Sequence, residues 1–260
     1  MIQIPFSTSF SLQSIKNIRR VIKTPLQRDG FALARAENIY PILADLVLVP
    51  WAYQWKSFSS CWCHLEIDRY MEDGGRYRRR RYATFLLNAR GAFLQPRQPH
   101  YQTLDYNPLN GGVERWFEPI SSQVIENPIL RAIMHLVYQV VTELTSTHSL
   151  PVIWHVEMHQ FRIEARLGQV GFPTPEGLHR DGVDWICIVM IKRENIAFGE
   201  TSIYNLHHQC VAQFTLMHAL DVAFVNDHRV YHGVTAIEVV KSDQPAYRDV
   251  LVLTLRKKSH

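Results

Sequence analysis

The sequence predicts a mainly β protein, with a jelly-roll core behind a mixed, helix-containing N-terminal part. The first observation is a cluster of strand-like runs in the C-terminal hundred residues. "VIWHVEMHQFRIEAR", "DWICIVMI", "CVAQFTLM", "LDVAFVND", "VYHGVTAIEVV" and "RDVLVLTLR" are short, rich in Val, Ile, Phe and Thr, and separated by polar turns. Six such runs so close together suggest a sandwich or barrel of the jelly-roll kind. The second is a strong helix just ahead of them. The third is continuity: no repeat, low-complexity tract or Gly/Ser/Pro linker divides the 260 residues. A single domain over 1–260 is expected, with the helix-containing part at about 1–150 and the β core at about 151–256.

Along the chain, "SLQSIKNIRRVIKTPLQRDG" predicts a short helix ended by Pro25. "NPILRAIMHLVYQVVTELTSTHS" predicts a longer one, with Asn127 as N-cap and Pro128 in the first turn. Its residues Ile129, Ile133, Leu136, Val137, Val140, Val141 and Leu144 form one apolar stripe, which would pack on one face of the β core.

A hydrophobic fraction of 47% and a charged fraction of 20% are globular values. The net charge of +4 is far from that of a dedicated nucleic-acid binder. The longest apolar run, "YPILADLVLVPWAY", is too short and too polar to span a bilayer. The opening residues show no signal-peptide pattern. Cys187 lies in an apolar run and reads as a buried thiol. Cys61 and Cys63 share a face if their segment is a strand, but no second pair stands at zinc spacing. A cytoplasmic protein with free thiols is expected.

The chemistry centres on His179-Arg180-Asp181. A kinase catalytic loop would need an Asn five residues after the Asp, and Ile186 stands there. G-x-G-x-x-G and D-F-G are also absent. As H-x-D, the same residues are two metal ligands that face one side of an extended segment. The pattern alone is weak among 13 histidines and 24 acidic residues. Its setting in "GFPTPEGLHRDGVDW", a loop running into a strand, is where a β scaffold exposes functional groups. The bland reading is a hydrogen-bonded turn, and the residues alone leave the two about even.

Two imidazoles and a carboxylate form the facial triad of non-haem Fe(II) oxygenases, leaving positions for a bidentate 2-oxoacid and O2. His232 is favoured as the third ligand because it begins a strand. Its rival, His228, sits in the turn "NDHRV", where hydrogen bonding is the more natural task. A 2-oxoglutarate user also needs a cation for the distal carboxylate. Arg248 opens the strand that follows the expected hairpin "VKSDQPAY", whereas Arg256 lies at its far end. Thr201 and Ser202 could donate further hydrogen bonds, although turn polarity explains them equally well.

"PTPEGLHRDGVDWICIVMI", "GETSIYN", "LDVAFVNDHRVYHGVT" and "YRDVLVLTLR" resemble, in order, the bacterial 2-oxoglutarate-Fe(II) dioxygenase family that includes the L-isoleucine 4-hydroxylases. "YMEDGGRYRRRRYATF" resembles it more loosely. The resemblance implies a cupin-like double-stranded β-helix and hydroxylation of aliphatic carbons of free amino acids. It implies iron ligands His179, Asp181 and His232, and Arg248 as 2-oxoglutarate anchor, at a longer spacing from the distal His than is common. The implied partners are Fe(II), 2-oxoglutarate, O2 and a small amino acid, with neither nucleic acid nor membrane.

Two other classes remain open: a cupin-like metalloenzyme without 2-oxoglutarate, and a binding module using Arg78-Arg79-Arg80-Arg81. In a strand, Arg79 and Arg81 share one face with Tyr77, while Arg78 and Arg80 share the other with Tyr82. One face would be solvated and the other could turn polar groups inward, one of them toward a substrate carboxylate. Trp154 and Trp185 read as core. His155, His159, His207, His208 and His218 show no ligand pattern.

Overall fold

The computed structural model describes residues 2–6, 9–107, 109–145 and 152–258. In chain order the strands are β1 (Gln3–Pro5), β2 (Phe31–Ala34), β3 (Glu66–Ile67), β4 (Arg78–Asn88), β5 (Gly91–Leu94), β6 (Trp154–Ala165), β7 (Trp185–Glu194), β8 (Ile196–Phe198), β9 (Thr201–Asn205), β10 (Cys210–Phe214), β11 (Val222–Asn226), β12 (Val230–Val234), β13 (Ile237–Val239) and β14 (Ala246–Lys257). A large sheet runs β1-β5-β4-β6-β14-β7-β11-β2, with β3 paired to β4. Facing it are the short sheets β10-β9-β12 and β13-β8. This is the expected jelly roll. The segment "VKSDQPAY" is not a simple hairpin, because β12 pairs with β9 while β14 lies between β6 and β7. The chain crosses between sheets there, as double-stranded β-helix winding requires.

The helices are α1 (Leu12–Ile18), α2 (Thr24–Asp29), α3 (Ala36–Ala44), α4 (Trp51–Ser60), α5 (Ser122–Ile125) and α6 (Pro128–Thr145). Pro25 does not stop its helix. A π turn over Arg19–Lys23 joins α1 to α2, with the Thr24 N–H donating to the Arg19 carbonyl. Proline lacks an N–H and clashes with the carbonyl four residues back; the wider turn just before Pro25 accommodates both defects. Termination falls instead at Gly30, whose φ of +83° suits a left-handed cap. In α6 the Asn127 side chain accepts from the Ile129 N–H at 2.9 Å, as an N-cap should. Residues 146–149 of the predicted helix lie outside the described residues. Cys61 and Cys63 occupy a 3-10 turn (Cys61–His64) rather than a strand. With three residues per turn, i and i+2 diverge, so Cys61 is buried and Cys63 exposed.

Strand alternation sorts the large sheet. Leu251, Leu253 and Leu255 of β14, Cys187 and Val189 of β7, and Trp154, Val156 and Met158 of β6 pack in one core with Ile129, Ile133, Leu136, Val137 and Val140 of α6. Each fully buried side chain of this size contributes roughly 1.5–3 kcal/mol. The alternate residues of the same strands face the short sheets, where Ile186, Ile188, Met190, Ile203, Val230 and Val250 form a second core. Both faces are covered, so β7 reads as a continuous apolar run rather than an alternating one. Where the sheets part, the inward face of β4, β6 and β14 turns polar and lines a cavity. Among the described residues, no helix is long and apolar enough to cross a membrane.

Candidate active site

The cavity encloses about 960 Å³ of empty volume, including open solvent at its mouth. His179, Asp181 and His232 stand on its wall. His179 and His232 are brought together by a two-way backbone bridge, each N–H donating to the other's carbonyl at 3.0 Å. Their ring centroids are 4.4 Å apart. The Asp181 carboxylate reaches both, with Oδ1 3.6 Å from His179 Nε2 and Oδ2 3.8 Å from His232 Nε2. Ligand atoms from the three residues all lie within 4.8 Å of one another, so they could hold one metal ion.

The surroundings fit that task. His179 Nδ1 is 3.0 Å from the Gly177 carbonyl, which can only accept. That nitrogen therefore carries hydrogen, and Nε2 is the one turned to Asp181. Burial disfavours the charged ring, but Asp181 outweighs it and draws the His179 pKa up to about 9. Burial and then the His179 charge push His232 down to about 4. A divalent ion would take the place of the His179 proton beside the same carboxylate.

The loop carrying Asp181 is held from the turn after β11. The Asp227 carboxylate accepts from the N–H groups of Asp181, Gly182 and Val183 at 3.0, 2.7 and 3.0 Å. Gly182 has a φ of +72°, and a Cβ there would lie 2.6 Å from the Tyr106 ring. An Asp227→Ala variant should lose about 3 kcal/mol of stability in urea unfolding, because three amides lose their acceptor. A loss below about 1 kcal/mol would show that water replaces the carboxylate. His228, the rival ligand, is exposed and lies 2.8 Å from Asp184 through Nε2, away from the cavity wall.

Arg248 is 4% exposed and lines the cavity. Its Nε has no hydrogen-bond partner, and no carboxylate of the described residues is paired with it. Burial, and then the Arg193 charge, lower its pKa to about 10, so it stays cationic at neutral pH. Arg256 follows on the same face of β14, but its side chain is exposed. Thr201 and Ser202 are not among the lining residues. Both lie in β9, where Ser202 pairs with Gly233 and its hydroxyl accepts from Gln213 at 3.4 Å.

Sequence reasoning missed several cavity residues. His159 and Glu157 alternate inward on β6. The string "HVEMH", polar at every second position of a strand, was the available signal. With His100 they form a second cluster of metal-ligating groups. This cluster is already committed elsewhere. Arg80 Nη2 lies 2.6 Å from His159 Nδ1, Tyr82 donates to Glu157 at 2.9 Å, and His100 Nδ1 is 3.2 Å from Glu157. A guanidinium against the imidazole opposes a cation there.

The arginine run divides as the alternation predicts. Arg78 and Arg80 are buried and share Asp68, at 2.8 and 3.5 Å. Arg80 also lies 3.6 Å from the Phe117 centroid and 4.6 Å from that of Phe161. Arg79 pairs with Glu164, and Arg81 donates to the carbonyls of His64 and Pro119. The run therefore presents no open row of four charges.

A jelly roll carrying two imidazoles and one carboxylate on a buried cavity wall is the architecture of a non-haem iron oxygenase. Residues 59–254 match the 2OG-Fe dioxygenase family, and the chain belongs to it. It is a 2-oxoglutarate-dependent dioxygenase that uses Fe(II), 2-oxoglutarate and O2. Two curated relatives are each 24% identical. The 3(1)-hydroxy-L-isoleucine 4-dioxygenase of Pantoea ananatis (strain AJ13355) aligns over 75% of this chain and 77% of its own. The L-isoleucine-4-hydroxylase of Bacillus thuringiensis aligns over 75% and 80%. Among solved structures, a bsmA homolog from Methylobium petroleophilum PM1 has a TM-score of 0.80 and 31% identity, covering 97% of this chain and 96% of that one. IDO from Bacillus thuringiensis, at 0.71 and 18% identity over 98% and 99%, shares the fold.

Proposed function

We propose that the enzyme hydroxylates an aliphatic side-chain carbon of a free L-amino acid of the isoleucine, leucine or methionine type. In this reading His179, Asp181 and His232 hold the iron, and Arg248 takes the distal carboxylate of 2-oxoglutarate. The observation that carries it is the pairing, on one cavity wall, of the His-Asp-His cluster with a buried arginine that has no carboxylate partner among the described residues. The names of the two relatives, both acting on isoleucine or its hydroxy derivative, support the substrate class.

Iron, 2-oxoglutarate and O2 together supply the oxidising power that turns C–H into C–OH, with succinate and CO2 formed. The chain's own residues aim and seclude that chemistry. Val183, Ile186, Ile188, Val234, Val250 and Val252 give the cavity an apolar wall beside the triad. Such a wall excludes water and accommodates methylene groups. The Gly177 carbonyl and the Asp227 carboxylate hold His179 and the Asp181 backbone in place. The choice among aliphatic side chains rests on wall shape, where one methylene is worth about 1–3 kcal/mol.

Incubation with Fe(II), 2-oxoglutarate, ascorbate and a panel of free amino acids should give a product heavier by one oxygen, with matching succinate. Absence of both with every amino acid would remove the reading.

A further inference from the structure

The cavity holds a second buried arginine without a carboxylate partner. Arg115, on the long segment between β5 and α5, is 2% exposed and lines the wall. Its backbone is bridged both ways to His100, at 2.9 and 3.0 Å, which fixes where the side chain starts. Nη2 donates to Gln102 Oε1 at 2.9 Å, and Nε donates to nothing. Among the described residues no carboxylate lies within ion-pair distance of it, because Asp68 serves Arg78 and Arg80 while Glu157 serves His100 and Tyr82. A desolvated guanidinium with a free donor calls for an anion. Arg78, which also lines the cavity, keeps Nη2 unpartnered.

Glu176 supplies the complementary group. Its side chain is 11% exposed, its Oε2 has no partner, and its Oε1 is 3.6 Å from His179 Nε2. Arg115 and Glu176 line the same cavity without forming an ion pair. Gln102 links Arg115 to the triad, since its Nε2 donates to Asp181 Oδ1 at 3.4 Å. A cation with no carboxylate partner among the described residues and a carboxylate whose Oε2 is left free, on one wall beside the triad, match a zwitterion.

We infer that Arg115, with Arg78 Nη2 beside it, binds the α-carboxylate of the substrate, and that Glu176 binds its α-ammonium. This rests on the amino acid reading above and narrows it. Both charges of a free amino acid are read, so an internal residue of a peptide, which has neither, is not a substrate. Arg248 remains for the second carboxylate-bearing ligand, 2-oxoglutarate.

The test compares L-isoleucine, L-leucine and L-methionine with their carboxamides and N-acetyl derivatives on the Fe(II)- and 2-oxoglutarate-loaded protein. Binding is read anaerobically by calorimetry, and turnover by product mass. In the unmodified protein, removing either charge should weaken binding roughly a hundredfold. Arg115→Gln should raise the KM for the amino acid by a similar factor, with Arg115→Lys recovering part of the loss. Its 2-oxoglutarate titration, followed by the visible band of the anaerobic iron complex, should not move. Glu176→Gln should erase the preference for the free amine over the N-acetyl form. Turnover of a free amino acid with equal binding of its carboxamide, or with KM unchanged in both Gln variants, overturns this inference and spares the hydroxylase reading. No turnover of any amino acid overturns both. The derivative series needs no substitution, so it decides the matter even where a variant does not fold.

Discussion

An Asp181→Ala variant is expected to lose hydroxylation by roughly a thousandfold or more in kcat/KM and to retain little Fe(II) after dialysis. Asp181 is the one carboxylate in the cluster of ligating groups formed with His179 and His232. Both imidazole Nε2 atoms lie within 3.8 Å of its oxygens. Two neutral imidazoles alone cannot offset the charge of a divalent ion in a cavity wall of valines and isoleucines. The same change removes what sustains the His179 imidazolium. Against burial, Asp181 holds that pKa up at about 9, so the ring should become neutral at pH 7 in the variant. Metal content measured after dialysis, with NMR titration of the metal-free His179 ring, checks both parts. Full iron content in the variant would show that Glu176, 3.6 Å from His179, replaces Asp181 as ligand.

An Arg248→Met variant should combine a functional loss with no loss of stability. Affinity for 2-oxoglutarate should fall at least about a hundredfold, because a charge-assisted contact in a desolvated site disappears. The unfolding temperature of the ligand-free protein should stay level or rise. Arg248 is buried without a carboxylate partner among the described residues and carries an unsatisfied Nε. Folding the ligand-free chain therefore bears the desolvation of that cation with little return, and methionine fills similar space without charge. Calorimetry with 2-oxoglutarate and thermal unfolding without it measure the two arms. Unchanged affinity would move the anchor to another cation. A large drop in unfolding temperature would mean that the guanidinium holds the β14–β6 contact rather than a ligand.

Much of the fold was legible because its signals are local. The six C-terminal runs all form strands, and α6 begins at Pro128 under the predicted Asn127 cap. "VYHGVTAIEVV" splits into β12 and β13 on different sheets, since the chain crosses over at Thr235 and Ala236. Pro25 misled because helix rules assume a regular α turn, and a π turn before a proline removes the clash. The grouping of Arg78 with Arg80 and of Arg79 with Arg81 followed from period-two alternation, but which pair turns inward did not.

The site was legible only in part. H-x-D marks two candidate ligands on one segment, and the bridge from His179 to His232 brings a third candidate beside them. His100, Gln102 and Arg115 carry no motif. They reach the cavity because the chain after β5 returns to β4, where the Tyr82 N–H donates to the Glu118 carbonyl and the Tyr82 carbonyl accepts from the Ile120 N–H.

What the sequence by itself determined is the strand periodicity, the α6 stripe and cap, and the paired spacing of His179 and Asp181, because each depends on neighbours within a few residues. Only the tertiary structure decided which histidine lies beside His179 and Asp181 on the cavity wall, which buried arginines are left without a carboxylate among the described residues, and that Glu176 and Arg115 line one cavity. Those are properties of charges desolvated together by segments distant in the chain. Whether a buried charge is paired depends on all of those segments at once.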